Sequence, residues 1–333
     1  MTPTAGDPHL AHAPEWAAVI QQAYGHEPLY LAATDSGGGT AVLPAFIVRR
    51  PFFGTAVTSM PFLDGGGPCS ATPEVAGSLV EMLADEARRL GAAFVELRCS
   101  QRLPIPWDPS EHKVNLTLPL PSNPEVLWRE LDKSVRNQVR KAQRSGLSVD
   151  FGGAEYLDAF YRTFASRMRE LGSPVHDRRF FRAIVDEFGS RVRIGLVRIG
   201  GMPIGGLIAL GFRETLTVPW AACLSEYRTL CPNMLLYWET IRAACLEGFR
   251  RFDFGRSSRD SGTYRFKRQW GAVESPLYWY TIPIDARVDE SDDAPTRPER
   301  GRAVASCLTK AWQHLPLAVT RCVGPHLRRY LIQ

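Results

Sequence analysis

The stretch RRFDFGRSSRDSGTYRFKRQW, from Arg250 to Trp270, carries the most informative pattern in the chain. Two phenylalanines alternate with other residues up to Gly255, and such alternation is typical of a strand. A basic residue, two serines and a further glycine follow, which predicts that the strand stops, that a tight turn follows and that a short helix leaves it. Glycine lets the backbone approach a ligand closely, and a helix N-terminus favours negative charge. The stretch therefore predicts an anion site at a strand end.

Lysine is scarce in this protein, and the only lysines are Lys113, Lys133, Lys141, Lys267 and Lys310. The lysine ammonium is a compact point charge, whereas the arginine guanidinium is a planar fork of donors. A lysine retained at position 267 within an arginine-rich stretch therefore favours a specific chemical role. The alternative is a structural salt bridge to Asp253 or Glu239.

Length and composition predict a two-domain globular protein. The chain has 333 residues, of which 44% are hydrophobic and 23% are charged, and this length exceeds that of an ordinary single core. The formal net charge of +5 and the pI near 8.9 suit a phosphate-bearing substrate, an RNA or an anionic membrane surface. Arginines spread over a solvated face would give the same excess.

Cysteine usage and the N-terminal segment predict a cytoplasmic protein. The seven cysteines form an odd set without CxxC spacing, so we expect reduced thiols and neither a disulfide framework nor a metal site. The N-terminus lacks a basic segment followed by an apolar core, and no stretch approaches the roughly 20 apolar residues of a membrane helix. We therefore expect peripheral contact at most, at the inner face of the cytoplasmic membrane.

A basic helix is expected after Asn123. Asn-Pro-Glu is a helix start, and the helix is predicted to continue through LDKSVRNQVRKAQRSG and to end at Gly146. Arg136, Arg140, Lys141 and Arg144 recur along it at helical spacing, and no acidic residue follows Asp132 in this run. A solvated face and a substrate-contacting face remain equally favoured.

The rest of the chain alternates between helices and strands. Helices are predicted at 14–24, 73–90, 154–171, 178–188 and 232–247, and strands at 29–33, 41–48, 55–60, 94–97, 114–118, 147–151, 192–199, 204–212, 215–222 and 277–282. These elements favour an α+β fold with domains at 1–121 and 122–284. Residues 285–301 are acidic and contain proline, which predicts a linker.

The C-terminal tail, residues 302–333, is predicted to be helical and amphipathic. Aliphatic residues alternate there with Arg321, Arg328 and Arg329. Such a helix suits an anionic bilayer surface. Packing against the body of the protein is the alternative.

Three motifs carry a family resemblance: DFGRSSRDSGTYRFKRQWG, LCPNMLLYW upstream of it, and SVRNQVRKAQRSG before that. Together with the element order from Asn123 to Ile282, they resemble the FemAB family of GNAT-superfamily transferases, in the subgroup associated with exosortase (PEP-CTERM) and exopolysaccharide loci. The tail HLPLAVTRCVGPHLRRYL is also similar to that subgroup. The resemblance implies tandem GNAT-like (acyl-CoA N-acyltransferase-like) domains, the first of them diverged, followed by the helical tail.

The family resemblance implies transfer of an acyl group to an amine. Studied members take an amino acid from aminoacyl-tRNA and add it to a peptidoglycan precursor. The lysine of the family's FK..[WF]G motif falls on Lys267, and its DFGRS turn falls on Asp253–Ser257. The helical hairpin that some members insert for tRNA contact is absent from this sequence, as is an obvious catalytic carboxylate in the N-terminal half.

The candidate catalytic residues follow from the chemistry of amide formation. Negative charge builds on the attacked carbonyl oxygen, and a preorganised cation aimed at it is worth roughly 3–4 kcal/mol; Lys267 is the candidate. Tyr264 is a candidate for positioning the amine or relaying its proton, with a structural role as the alternative. Asp253 is a candidate general base, with capping of the following turn as the alternative.

The candidate substrate contacts are mostly phosphate ligands. Arginine forks and serine hydroxyls bind phosphate, and the candidates are Arg256, Ser257, Ser258, Arg265, Arg136, Arg140, Asn233 and Trp238. Asn233 has helix capping as its alternative, and the apolar runs around Trp220, Trp238 and Trp270 favour the core. No histidine has the spacing of a nucleophilic triad, so no covalent intermediate is expected.

The sequence leaves the donor and the acceptor open. The GNAT class binds CoA pyrophosphate at a glycine-rich turn, and the corresponding stretch Tyr227–Asn233 lacks those glycines, which predicts poor CoA binding. We expect no tightly bound cofactor, aminoacyl-tRNA or acyl-CoA as donor, and a phosphate-bearing or lipid-linked glycan or peptidyl acceptor. The alternatives are an N-acyltransferase that uses acyl-CoA or an acyl carrier protein, and a non-catalytic subunit of a polysaccharide assembly complex.

Overall fold

The computed structural model describes residues 8–331 except 35–39, 52, 71 and 285–298. The helices are α1 (Glu15–Tyr24), α2 (Pro73–Arg89), α3 (Pro124–Glu130), α4 (Lys133–Arg144), α5 (Leu157–Glu170), α6 (Arg178–Phe188), α7 (Pro232–Leu246), α8 (Gly262–Arg268), α9 (Glu299–His314) and α10 (Leu317–Arg328). The strands are β1 (Glu27–Thr34), β2 (Thr40–Arg50), β3 (Gly54–Thr58), β4 (Ala92–Cys99), β5 (Ser110–Pro119), β6 (Leu147–Gly152), β7 (Val192–Ile199), β8 (Met202–Phe212), β9 (Thr215–Cys223), β10 (Arg251–Ser258) and β11 (Val273–Pro283).

The chain divides into two compact units. The first comprises Met1–Val114, Ser275–Cys307 and Arg329–Gln333, and the second comprises Asn115–Glu274 and Leu308–Arg328. The division is not sequential, whereas the predicted domains 1–121 and 122–284 follow one another along the chain. Residues 285–298 of the predicted linker lie outside the described residues, and α9 begins at Glu299, before the predicted start of the tail at residue 302.

The first unit is a sheet with one parallel pair. The strand order is β1-β2-β3-β4-β11; β1, β2 and β3 are antiparallel, β3 and β4 are parallel, and β11 runs antiparallel to β4. Helix α2 joins the parallel strands, and its Leu79, Val80 and Leu83 are fully buried in the core. Thr72 starts this helix, since its hydroxyl accepts a hydrogen bond from the nitrogen of Val75.

The second unit repeats this plan. Strands β6, β7, β8 and β9 form an antiparallel meander, and β10 lies parallel to β9. Helix α7 joins the two parallel strands, and α5 packs on β7, β8 and β9. Two helices, three antiparallel strands, a helix and two strands are the order that the sequence predicts from residue 154 onward.

Two local predictions are wrong. The single helix expected from Asn123 to Gly146 is broken, because Leu131 and Asp132 are extended with ψ of 144°; the break resets the helix so that Val135 and Val139 are buried. The strand expected to stop at Gly255 continues to Ser258, since Gly255, with φ of 71°, forms an irregularity within the strand rather than its end.

The tail helix α10 packs on the second unit. Thr320 and Gly324 are buried, and α10 contacts α5. The buried face of α10 therefore agrees with the second interpretation of the tail, in which the helix packs against the body of the protein. Among the described residues, no helix is both long enough and apolar enough to cross a bilayer.

Candidate functional site

Strands β9 and β10 separate from each other within the second unit. Their ladder covers only Arg251↔Thr215, Phe252↔Leu216 and Asp253↔Thr217. Beyond these pairs, β9 runs on to Cys223 and β10 to Ser258. The facing edges of the two strands therefore diverge at their carboxyl ends, and ligands of open α/β sheets bind outside the carboxyl ends of parallel strands.

A glycine irregularity shapes β10 just where the separation begins. Gly255 has φ of 71°, a left-handed conformation that side chains disfavour. The nitrogen of Gly255 donates to Oδ1 of Asp253 at 2.8 Å, and Nδ2 of Asn115 donates to the same oxygen at 3.0 Å. Asp253 therefore holds the backbone of the irregularity, as its capping alternative predicts.

Lys267 clamps this irregularity from helix α8. The side chain is buried, and its Nζ donates to the carbonyl oxygens of Gly255 at 2.9 Å and Arg256 at 2.7 Å. Glu239, one of the two alternative partners, is paired with Arg242. In the low effective dielectric of a buried position, a positive charge acts strongly on nearby negative charge.

Aromatic packing fixes the position of α8. The ring of Tyr237 on α7 lies 5.6 Å from that of Phe254 and 5.0 Å from that of Phe266. At the start of α8, the hydroxyl of Ser261 accepts a hydrogen bond from the nitrogen of Tyr264. The helix is capped at one end and packed along its side, so Lys267 is held against β10.

The hydroxyl of Ser257 stands out among the polar groups of β10. Ser257 is 3% exposed, and its Oγ has no hydrogen-bond partner among the residues that the structure describes. A buried hydroxyl without a partner is unfavourable by about 1–3 kcal/mol, so such a group in a separated strand end indicates a ligand contact. Arg256 and Ser258, its neighbours, are half-buried.

Tyr264 forms a pair that the sequence does not indicate. Its hydroxyl donates to Oε2 of Glu274 at 2.6 Å, and Nε of Arg259 lies 3.6 Å from the other oxygen of Glu274. This hydrogen bond raises the pKa of Tyr264 and lowers the pKa of Glu274. The pair therefore consists of a neutral phenol and an ionised carboxylate at neutral pH.

The connection from β9 to α7 is a 3-10 helix, Ser225–Leu230, followed by Cys231 with φ of 58°. Helix α7 has no side-chain cap, so the capping alternative for Asn233 is wrong. Asn233 is exposed in its first turn. This connection is helical where the GNAT class has a glycine-rich turn.

Three of the remaining candidates, Trp238, Arg140 and Arg136, lie on α7 and α4 and not on β10 or α8. Trp238 is buried and its ring lies 4.5 Å from that of Trp128, and Arg140 lies 5.5 Å over the same Trp128 ring. Arg136 donates to the carbonyl oxygen of Arg129. Arg265 is exposed on α8.

Sequence reasoning missed Asn115 and Glu274 as partners of Asp253 and Tyr264. Asn115 lies in the polar–apolar alternation of β5, which gave no reason to single it out. All seven cysteines are free thiols. Within the described part of the chain, no group of three or more histidine, cysteine, aspartate or glutamate side chains has the geometry of a metal site.

A sequence-family comparison assigns this unit. The model of the acetyltransferase (GNAT) domain matches residues 129–268. The match covers most of the Asn115–Glu274 segment of the second unit. The prediction that the chain is an acyltransferase is therefore confirmed. A comparison with curated proteins finds no match to the chain.

Solved structures show the same fold over most of the chain. FemX matches with a TM-score of 0.67 and 14% identity, over 84% of this chain and 94% of that one. The C-terminal domain of a putative lysylphosphatidylglycerol synthetase from Agrobacterium fabrum matches with a TM-score of 0.56 and 10% identity, over 80% and 87%. A tandem GNAT protein from the clavulanic acid biosynthesis pathway matches with a TM-score of 0.50 and 11% identity, over 85% and 90%.

These likenesses, at such low identity, show the fold. They confirm the predicted α+β class with tandem GNAT-like domains and a helical C-terminal segment. The GNAT domain and the likeness to FemX also support the predicted superfamily.

Proposed function

We propose that the GNAT domain forms an amide by transferring an aminoacyl or acyl group to an amine of a glycan or peptidyl precursor. The observation that carries this proposal is the separation of β9 and β10 beyond Asp253, within a GNAT domain and beside the buried amine of Lys267. The acceptor is proposed to be lipid-linked cell-envelope or exopolysaccharide material, and the reaction to take place at the cytoplasmic face of the membrane.

In the proposed reaction, the amine nitrogen of the acceptor attacks the carbonyl carbon of the donor. A C–N bond forms, the carbonyl oxygen takes up negative charge, and the bond to the leaving group then breaks. The positive charge of Lys267 is proposed to stabilise that oxygen, an effect typically worth roughly 3–4 kcal/mol. Asp253 supports this arrangement by holding Gly255 rather than by taking a proton.

Proton transfer is assigned to the Tyr264–Glu274 pair. The attacking amine must lose a proton, and the leaving oxygen or sulfur must gain one. The ionised carboxylate of Glu274, bonded to the Tyr264 hydroxyl at 2.6 Å, is a relay of the kind that general acid–base catalysis uses. The buried hydroxyl of Ser257 and the guanidinium of Arg256 are proposed to hold polar groups of the substrate.

The proposed donor is aminoacyl-tRNA. The likeness to FemX and to a protein named lysylphosphatidylglycerol synthetase supports an aminoacyl donor, and so does the 3-10 helix in place of a glycine-rich turn. The motifs DFGRS and FKRQWG and the tail support placing the chain in the exosortase- and exopolysaccharide-associated subgroup of FemAB-like transferases.

An N-acyltransferase that uses acyl-CoA is the second candidate. It is favoured by the match to an acetyltransferase domain and by the fold of a tandem GNAT protein. Isothermal titration separates the two candidates, because micromolar affinity for acetyl-CoA supports the second. RNase-sensitive transfer from charged tRNA supports the first.

The decisive variant is Lys267→Met, which removes the charge and keeps much of the apolar stem. We expect transfer to fall roughly 100- to 1000-fold, measured as acceptor-dependent release of a labelled donor group. Lys133→Met is the matched control, since Lys133 is exposed at the start of α4 and its loss should leave transfer unchanged. Unchanged transfer in Lys267→Met, with the fold intact, contradicts the proposal and favours a non-catalytic binding subunit.

A further inference from the structure

Helix α10 is attached to the second unit by one face. A Cβ on Gly324 would lie 3.1 Å from the backbone nitrogen of Val175, so the helix packs closely at this glycine. Thr320 is buried on the same face, and Nε of Arg328 lies 3.2 Å from Nε2 of the buried His176. These contacts fix the rotational setting of the helix, and with it the set of side chains that faces outward.

The outward set contains a row of aliphatic side chains. Val319, Val323 and Leu327 are 40%, 40% and 44% exposed. Their i, i+4, i+8 spacing stacks them along a single face of the helix. A contiguous row of exposed aliphatic side chains marks an interaction surface rather than scattered exposure.

The charge of the chain after Glu299 indicates which kind of surface the aliphatic row binds. No acidic residue follows Glu299 in the sequence, while the cations after it are Arg300, Arg302, Lys310, Arg321, Arg328 and Arg329. An apolar row within a wholly cationic segment is complementary to a surface that is anionic outside and apolar beneath. A bilayer leaflet with acidic phospholipids has both properties.

A groove lined by α10 offers contacts for phosphate. It has a volume of about 430 Å³ and lies between α10 and the start of α6. Arg178, Arg321 and His326 line it together with one acidic residue, Asp177. The guanidinium of Arg321 stacks 5.5 Å over the ring of Tyr161. An arginine held in this way is suited to bind a phosphate.

We propose that the Val319–Val323–Leu327 row docks on a bilayer that contains acidic phospholipids, with Arg321 and Arg178 at the level of the headgroup phosphates. The tail thus has two faces with separate roles, one packed on the GNAT unit and one on the membrane. Docking would hold the unit at the surface that displays a lipid-linked acceptor, but the surface itself is independent of the transfer chemistry.

Vesicle co-sedimentation of the full chain tests this surface. We expect binding to vesicles of equal parts phosphatidylcholine and phosphatidylglycerol, weak binding to phosphatidylcholine alone, and release by salt, because charge attraction to lipid is screened. Val323→Glu should lower the partition coefficient about tenfold, through lost aliphatic contact and added charge. Arg321→Gln should lower it about fivefold.

Met202→Glu is the matched control. Met202 is 49% exposed at the start of β8, so it introduces the same charge on another surface and should leave vesicle binding unchanged. Equal thermal unfolding midpoints for the variants show that the fold is retained. Absence of binding by the native chain, or native binding by Val323→Glu, overturns the proposal.

Two further outcomes have distinct meanings. A native dimer that Val323→Glu converts to a monomer, without a change in vesicle binding, makes the row a contact between copies of this chain and overturns membrane docking. Loss of vesicle binding with full transfer to a water-soluble acceptor analogue supports the docking surface and leaves the proposed function intact.

Discussion

The two units contain the same strand–helix–strand connection, but the pairing of its two parallel strands ends differently in each unit. In each, two parallel strands are joined through a helix: β3, α2 and β4 in the first unit, and β9, α7 and β10 in the second. In the first unit the pairing continues past the end of β3, because the nitrogen of Ser59 donates to the carbonyl oxygen of Glu96 and that of Gly67 to Arg98. In the second unit the ladder ends at Asp253.

At this strand end of the first unit, a buried arginine finds its partners within the unit. Arg98 is fully buried, and its guanidinium donates to Oε1 of Glu96 and to the carbonyl oxygen of Leu63. The guanidinium lies 4.8 Å over the ring of Trp279. In the second unit, by contrast, the buried hydroxyl of Ser257 has no partner among the described residues. The buried hydroxyl of Thr58, the last residue of β3, likewise has no partner among the described residues. The two strand ends therefore differ in their strand pairing and in the buried Arg98–Glu96 pair.

The largest expected effect concerns the buried pair of the first unit. Arg98→Ala leaves the Glu96 carboxylate buried without its partner, and breaking a buried pair from one side typically destabilises by about 3–5 kcal/mol. Urea unfolding measures the loss. Arg102→Ala is the control, because the Arg102–Asp108 pair is exposed and such pairs contribute about 0–1 kcal/mol. Equal effects of the two variants would contradict the role assigned to Arg98.

A pH effect of nearly the same size is expected from His26. This histidine is buried, its ring stacks on that of Phe62, which lies between β3 and α2, and burial lowers its pKa to about 4. The unfolded chain takes up this proton near pH 6.5, whereas the folded chain does not until about pH 4. Stability should therefore be full above pH 6.5 and fall between pH 6.5 and 4, by on the order of 3 kcal/mol.

The variant His26→Phe isolates this contribution. It keeps the aromatic packing and removes the proton site, so its urea midpoint should decline less steeply between pH 6.5 and 4 than that of the native chain. Parallel curves for the two proteins would show that other groups cause the decline.

The sequence predicted the element order because its signals are local. Proline at the start of α2 and α7 and glycine after α2 mark helix ends in any context. Gly255 was misjudged for the same reason, since a turn and a strand irregularity both require a glycine with positive φ, and only the neighbouring strand tells them apart. The Gly255 and Arg256 carbonyls that accept from Lys267 could not be found from the sequence, because every residue has a backbone carbonyl.

The contact between Glu96 and Arg98 in the first unit could not be predicted from the sequence either. Glu96 and Arg98 are two residues apart in an apolar strand, which places them on one face, but that spacing does not reveal whether they bind a substrate or each other. Their mutual contact depends on the loop that supplies Leu63 and Ser59, and loop positions carry no periodicity. Whether Glu96 and Arg98 find hydrogen-bond partners therefore depends on the folded chain and cannot be determined from their spacing in the sequence.

A smaller effect should distinguish the two buried serines, beginning with Ser59. Its hydroxyl accepts a hydrogen bond from the nitrogen of Arg98 at 3.0 Å, in a fully buried position. Ser59→Ala leaves that nitrogen without a partner, which should cost about 1–3 kcal/mol of stability. Transfer activity, measured below the unfolding transition, should stay unchanged, and a selective loss of activity would show that the first unit takes part in the chemistry.

Ser257→Ala should give the opposite pattern, with no loss of stability. Because the Ser257 hydroxyl has no hydrogen-bond partner among the described residues, its removal breaks no such bond and removes the cost of burying an unpartnered hydroxyl. We therefore expect the free energy of unfolding to stay the same or to rise. If that hydroxyl binds the substrate, one lost hydrogen bond of about 1 kcal/mol corresponds to a five- to tenfold rise in KM at nearly constant kcat. Ser257→Thr, which restores a hydroxyl, should recover part of the loss. A stability loss like that of Ser59→Ala, with unchanged KM, would show that the Ser257 hydroxyl is structural and that the two strand ends differ less than their hydrogen bonds suggest.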